Sequence, residues 1–280
     1  MPLPIRLPYF DALLALLDEG HPSLERAFGR HVHWGYWPLP AAAEVSPAAF
    51  SEATEALSRL VWEAAAVGDG AKVLDAGCGF GGTAESLNAR FEGLTVCGLN
   101  IDRRQLLRAV GQFRPRTGNA LQWVQGDACR LPFRDDSLDA VIAVECIFHF
   151  GSREAFFREA LRVLKPGGRL ALSDFVPRPA FKPAVQLASL WPARLGFYGH
   201  CRLDHSLGDY RELADRLGLR LCVERDITAN TLPTYTVLRR LAKEFGRPGI
   251  SAAAETLFAE VASRLGVLRY LVLGFEKATG

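Results

Sequence analysis

The chain has 280 residues, 49% of them apolar, which is enough for one large core. It carries 33 Lys and Arg against 31 Asp and Glu, a net charge of +2 without a basic stripe, so the pattern argues against a nucleic-acid partner. No run of 18 apolar residues occurs, so no membrane span is expected.

The first 45 residues read as an arm before the main domain, which is assigned to 46–280. Pro2, Pro4 and Pro8 give an extended start, and Phe10–Glu19 is helical by its apolar spacing. Tyr9–Leu17 is interrupted by Asp11 and followed by Asp18 and Glu19, so it reads as an amphipathic helix and not a signal peptide. Next come His31, His33, Trp34, Gly35, Tyr36 and Trp37, an unusual density of rings for a surface arm. They suit either an aromatic staple or a flap. His31 and His33 have a spacing that metal ligands use, but no third ligand is near, and no metal is assigned. Ser46–Val67 reads as a long helix, with Ser46 as N-cap, Pro47 at the first helical position and Val45 stapled on Phe50.

Lys72–Thr83, KVLDAGCGFGGT, is the stretch on which the reading turns. An apolar run meets Asp75; Gly77, Gly79, Gly81 and Gly82 follow; Ala84–Arg90 is helical. A strand, a glycine turn and a helix form the ligand-binding corner of an α/β sheet. Gly77, Gly79 and Gly82 also fit the dinucleotide pattern G-x-G-x-x-G. Asp75 argues against that reading, because it would repel a pyrophosphate and suit a ligand bearing an ammonium group.

The remaining elements follow in alternation. Leu94–Leu99 is a strand ending at Asn100, and Asp102 caps the helix Arg103–Gln112. Leu121–Gln125 is a strand followed by Asp127. Leu138–Val144 is nearly continuous apolar sequence, as a strand buried on both faces should be. It leads to Glu145 and His149. Ser152–Leu164 is a helix closed by the turn Leu164–Gly168. Arg169–Ser173 is a strand with Asp174 at its tip, facing the same cleft as His149. Tyr210–Leu217 is a helix, and Leu219–Asp226 and Arg269–Phe275 are the last strands. Six cysteines are scattered without a C-x-x-C, which suits buried thiols in a reducing, cytoplasmic setting.

Four phrases in this order, DAGCGFG, GLN, GDACRLPF and LKPGG, make the chain resemble the class I S-adenosylmethionine (SAM) methyltransferases, in particular those that act on small molecules such as tocopherols and sugars. The resemblance covers about Leu60 to Asp226 in motif. It implies an α/β, Rossmann-like, seven-stranded, mostly parallel sheet with helices on both faces and an antiparallel last strand. It also implies SAM as cofactor, contacted by Asp75, Gly77, Cys78, Gly79 and Gly81 of the loop. Asn100, with Ile101 and Gln105, would serve the ribose, where most of the family has an acid. Asp127 and Ala128 would serve the adenine, and Glu145 would anchor the turn or the cofactor. By the same resemblance Tyr36, His33 and Trp34 would cover the methionine moiety.

The reaction implied is methyl transfer to a hydroxyl of a small, partly apolar acceptor. His149 is the expected base and Asp174 the residue that orients it; imidazole is suited to taking a proton near neutrality. Segments 175–205 and 228–268 are expected to wall the acceptor pocket, the first because it is rich in Pro, Trp and Phe. Methylation of a carbon, with Phe148, Trp191 and Phe197 around a cation, is the alternative. A nicotinamide oxidoreductase and a non-catalytic scaffold are remoter ones.

Overall fold

A computed structural model describes residues 7–189, 196–199, 201–245 and 250–279. Pro2, Pro4, Trp191 and His200 lie outside the described residues. Seven strands form one sheet: β1 Lys72–Ala76, β2 Thr95–Asn100, β3 Ala120–Gln125, β4 Leu138–Val144, β5 Leu164–Pro177, β6 Leu219–Asp226 and β7 Leu268–Lys277. Their order is β3-β2-β1-β4-β5-β7-β6. β1 to β5 are parallel, and β7 runs antiparallel to both β5 and β6.

Local sequence accounts for most of these elements. β4 is apolar along its length because both faces are covered, and Ala140 to Ala143 are at most 1% exposed. Helix α3, Pro47–Ala64, starts where the Ser46 side chain accepts from the Ala49 N–H. Asp102 and Ser152 cap α5, Arg103–Gln112, and α6, Arg153–Val163, in the same way. The turn expected at 164–168 is part of β5. Leu164 pairs with Leu138 and the next pair is Arg169 with Ala140, so the intervening Lys, Pro and two glycines bulge out of register. The strand then runs past Ser173 to Pro177, because β7 supplies partners as far as Leu268.

The arm folds into two helices, α1 Pro8–Asp18 and α2 Pro22–Phe28. The second was not expected from sequence. Beyond them the chain is tied down by backbone bonds: Tyr36 N–H to the Ala53 carbonyl at 2.8 Å and Trp37 N–H to the Asn230 carbonyl at 3.0 Å. Trp37 is buried with Ala27, Phe50, Val237 and Leu241. The last two belong to the helix Pro233–Glu244, which is followed by the helix Ile250–Arg264. No described helix is long and apolar enough to cross a membrane.

Candidate active site

β1 leads into β2 on one side of the sheet, whereas β4 lies on its other side. The carboxyl ends of these strands therefore open on a crevice where chain direction switches, the usual ligand position of such sheets. A cavity occupies that place. Asp75, Gly77, Cys78 and Gly79 form its floor, and Asn100, Ile101, Gln105, Asp127 and Ala128 form one wall. Glu145 and His149 stand at the β4 end, and His33 closes it from the arm.

Asp75 is the centre of the charge pattern. It sits within β1 and is 1% exposed. Its carboxyl accepts from the Ala84 N–H, but Oδ2 has no hydrogen-bond partner among the described residues. Burial pushes its pKa up to about 7. An orphan carboxylate lining a cavity is a place for a cation, and an α-ammonium group fits it.

The glycines divide their work. Gly79 has φ of 56°, and a Cβ there would point into space open to the cavity, meeting only Gln105 Oε1 at 3.8 Å. A side chain would fill the cradle. Gly81, with φ of 85°, does not line the cavity. Its Cβ would stand 2.5 Å from the Trp123 ring, so this glycine allows the start of α4, Gly82–Arg90, to pack on β3.

On the far wall, Asn100 Oδ1 accepts from the Ile101 N–H at 2.9 Å, and its Nδ2 donates to Gln105 Oε1 at 2.8 Å. The amide is thus held in orientation, with one N–H left to offer. Asp127 accepts from the Cys129 N–H at 2.8 Å through Oδ1 and is otherwise exposed. It is a turn former that also faces the cavity.

Glu145 has φ of 49°, a strained backbone for a residue with a side chain. Its Oε2 accepts from the Trp34 N–H at 2.9 Å and from the Tyr270 hydroxyl. Burial pushes its pKa up to about 8, so near neutrality it is largely protonated. His149 ends the short turn Ile147–His149. Its ring lies 6.1 Å from the Tyr9 ring and its Nδ1 is 4.0 Å from Cys201 Sγ.

Gly81 is thus one corrected expectation, and three more follow. Asp174 does not line the cavity. It is fully buried within β5, paired with Arg153 at 2.9 Å and accepting from the Tyr210 hydroxyl. The antiparallel continuation onto β7 turned the expected strand tip into strand interior. Tyr36 lies at β6, where its hydroxyl accepts from Arg225 at 3.0 Å and its ring lies under the same guanidinium. The Trp34 ring packs edge-on against Phe175 and Tyr235; only its backbone reaches the site, through Glu145. For these two residues the aromatic staple describes the arm better than a flap.

The structure also brings in residues that sequence reasoning left out. Tyr9 and Phe10 of α1 roof the cavity and Arg30 stands beside His33; His31, noted from sequence only for its spacing, lines the cavity too. The amphipathic spacing of α1 was a signal that it covers something. Phe197 packs on Tyr9 with ring centres 6.4 Å apart, so this part of 175–205 reaches the roof. Among the described residues no group of three or more His, Cys, Asp or Glu is placed to hold a metal ion.

Comparison with known proteins agrees with this geometry. Residues 74–172 match the methyltransferase domain family. The methyltransferase GfsG of Streptomyces halstedii is 36% identical over 223 residues, 78% of this chain and 76% of that protein. The 27-O-demethylrifamycin SV methyltransferase of Amycolatopsis mediterranei is 34% identical over 174 residues, 61% of this chain and 59% of that one. Among solved structures, the geranyl diphosphate C-methyltransferase of Streptomyces coelicolor, crystallised with S-adenosyl-L-homocysteine, superposes with a TM-score of 0.72. It is 19% identical, and the match covers 99% of this chain and all of that one, a likeness of fold. Strand order, glycine cradle, orphan carboxylate and relatives together show that the chain belongs to the class I SAM-dependent methyltransferases that act on small molecules.

Proposed function

We propose that the protein methylates a hydroxyl of a small, partly apolar acceptor and that His149 takes the hydroxyl proton. The observation that carries this is the place of His149 at the end of β4, lining the cavity under the aromatic roof of Tyr9. SAM supplies, when bound, a methyl group on a sulfonium that a nucleophile can attack. The residues of the chain then have three tasks. Asp75 holds the ammonium end, with Gly79 leaving room for it. Asn100 and Asp127 hold ribose and adenine. Tyr9, Phe10 and Phe150 exclude water, which sharpens the alignment that in-line transfer needs.

The 27-O-demethylrifamycin relative supports an oxygen acceptor. Methylation of carbon is the second reading, favoured by one observation: the Glu145 carboxyl lines the cavity beside His149, and in its ionised form, which a developing carbocation would favour, it would take the final proton. Domain boundaries at 45 and 46, and acceptor walls from 175–205 and 228–268, belong to this proposal. So do a reducing compartment, suggested by six free cysteines, and the absence of a nucleic-acid partner.

The test is His149→Ala. With an alcohol acceptor, turnover should fall by about 10²–10⁴-fold while SAM affinity stays unchanged. Near-full turnover in this variant, together with a large loss in Glu145→Gln, would move the reading to carbon.

A further inference from the structure

Beside the cofactor cavity lies a hydrogen-bonded cluster that the proposed reaction does not use. His31 and His33 are 4% and 8% exposed, and both line the cavity. His33 Nδ1 is 2.9 Å from the Trp34 carbonyl, and His33 Nε2 is 3.2 Å from His31 Nδ1. His31 Nε2 is 3.0 Å from Glu55 Oε2. Ser58 Oγ reaches His33 Nε2 at 3.2 Å and Thr83 Oγ1 at 3.0 Å. Ser86 donates to the other oxygen of Glu55.

Counting protons along this chain leaves a gap. A carbonyl only accepts, so His33 Nδ1 carries a hydrogen, and neutral His33 then has a lone pair on Nε2. Glu55 is a carboxylate: burial opposes its charge, but the bonds from His31 and Ser86 outweigh burial and hold it down to about 2. His31 Nε2 must therefore donate to it, which leaves a lone pair on His31 Nδ1. Two lone pairs face each other across 3.2 Å. Ser58 has one hydrogen and can satisfy only one of them. One added proton between the rings would pair every nitrogen, with the Glu55 counter-charge already in place. Burial resists that proton: it lowers His31, and together with the neighbouring His31 it pushes His33 down to about 3. A further negative charge in the cavity would act against this and favour the proton.

The position of the cluster indicates which charge. His31 rests against the first turn of α4, where a Cβ on Gly82 would stand 2.6 Å from its ring. Asp75 accepts from Ala84 in that same turn. The ammonium and carboxylate of an α-amino acid sit on one carbon, so a ligand whose ammonium meets Asp75 brings its carboxylate to the same turn of α4. We propose that the His31–His33 pair is the subsite for the methionyl carboxylate of SAM, and that it becomes a cation by taking up one proton when that carboxylate enters. This rests on SAM binding at the cavity. The charged and titrating groups around the pair are Arg30, 3.8 Å from Glu55, Glu55 itself on α3, and Asp75 and Glu145 across the cavity. Ser58, Thr83 and Ser86 complete its polar surroundings.

The experiment is calorimetric titration of the full chain at pH 7 with SAM and with decarboxylated SAM, each in phosphate and in Tris. Buffer dependence of the heat gives the protons exchanged on binding. Both ligands carry sulfonium and amine, so the contributions of Asp75 and Glu145 cancel in the comparison. SAM should take up about one proton more than its decarboxylated analogue, and His31→Gln should abolish that difference. Equal proton counts for the two ligands in the parent would overturn the proposal while leaving the cofactor assignment standing. Failure of the parent to bind SAM at all would overturn both. Nitrogen-15 spectra of the parent need no variant: SAM should convert His31 to the imidazolium form, and a neutral ring in the complex would refute the subsite.

Discussion

Replacing Asp75 by Asn should make the unliganded protein more stable and the cofactor weaker. In the folded state the carboxyl titrates at about 7 against an ordinary 3.8. A gap of about three pKa units corresponds to roughly 4 kcal/mol, at 1.36 kcal/mol per unit. The sign follows from the raised value. Below about pH 4 the acid is protonated in both states and costs nothing. Between about 4 and 7 the unfolded chain releases a proton that the folded chain retains, and above 7 the full penalty is present. Asn removes it. Asn Oδ1 can keep the bond from Ala84, but its amide nitrogen inherits the orphan position of Oδ2, at a cost of about 1–3 kcal/mol. The net gain at pH 8 is then about 1–3 kcal/mol, or several degrees in Tm at about 2–4 °C per kcal/mol. The gain should shrink as pH falls from 7 towards 4. Loss of a charge-assisted bond to the ammonium should weaken SAM by about 1.5–3 kcal/mol, roughly 10- to 150-fold. Thermal unfolding from pH 4 to 8 and calorimetry with SAM test both halves. A variant that is less stable at pH 8 and binds SAM as before would refute the view of Asp75 as a buried charge waiting for a cation.

Arg153→Ala should destabilise the protein by about 3–5 kcal/mol, because it strands Asp174 in the core, where Oδ1 already lacks a hydrogen bond. Urea unfolding measures this, and SAM affinity should be unchanged in any folded fraction, since neither residue lines the cavity. Deleting residues 1–40 should lower stability as well as affinity, because it uncovers Phe50, Ala53, Val237 and Leu241 where Trp37 and Ala27 packed. Circular dichroism melting checks it, and a truncated protein as stable as the parent would show that the arm is only a cover.

Much of the site was legible because its determinants are local. Asp75 and Gly79 are four residues apart, and a strand running into a glycine turn brings them together without help from elsewhere. The apolar run of β4 needs no partner to announce that it is buried, and its end places His149. Ser46, Asp102 and Ser152 cap their helices with side chains that reach only two or three residues ahead. The destinations that sequence missed are set by partners far along the chain. Tyr36 goes to Arg225 and not to the cofactor, and Trp34 offers its backbone to Glu145 while its ring joins the core. Asp174 is strand interior because Leu271 stands opposite it, and its charge is met by Arg153 from a helix on the face of the sheet. His31 had no role assigned from sequence beyond its spacing from His33; its partner Glu55, 24 residues along the chain, came to it only in the fold. The order of residues along the chain determines which local shape is cheapest. Which of several possible partners a buried polar group or aromatic ring takes is decided only when the whole core closes, because desolvation makes that group accept whichever partner the packing brings within reach.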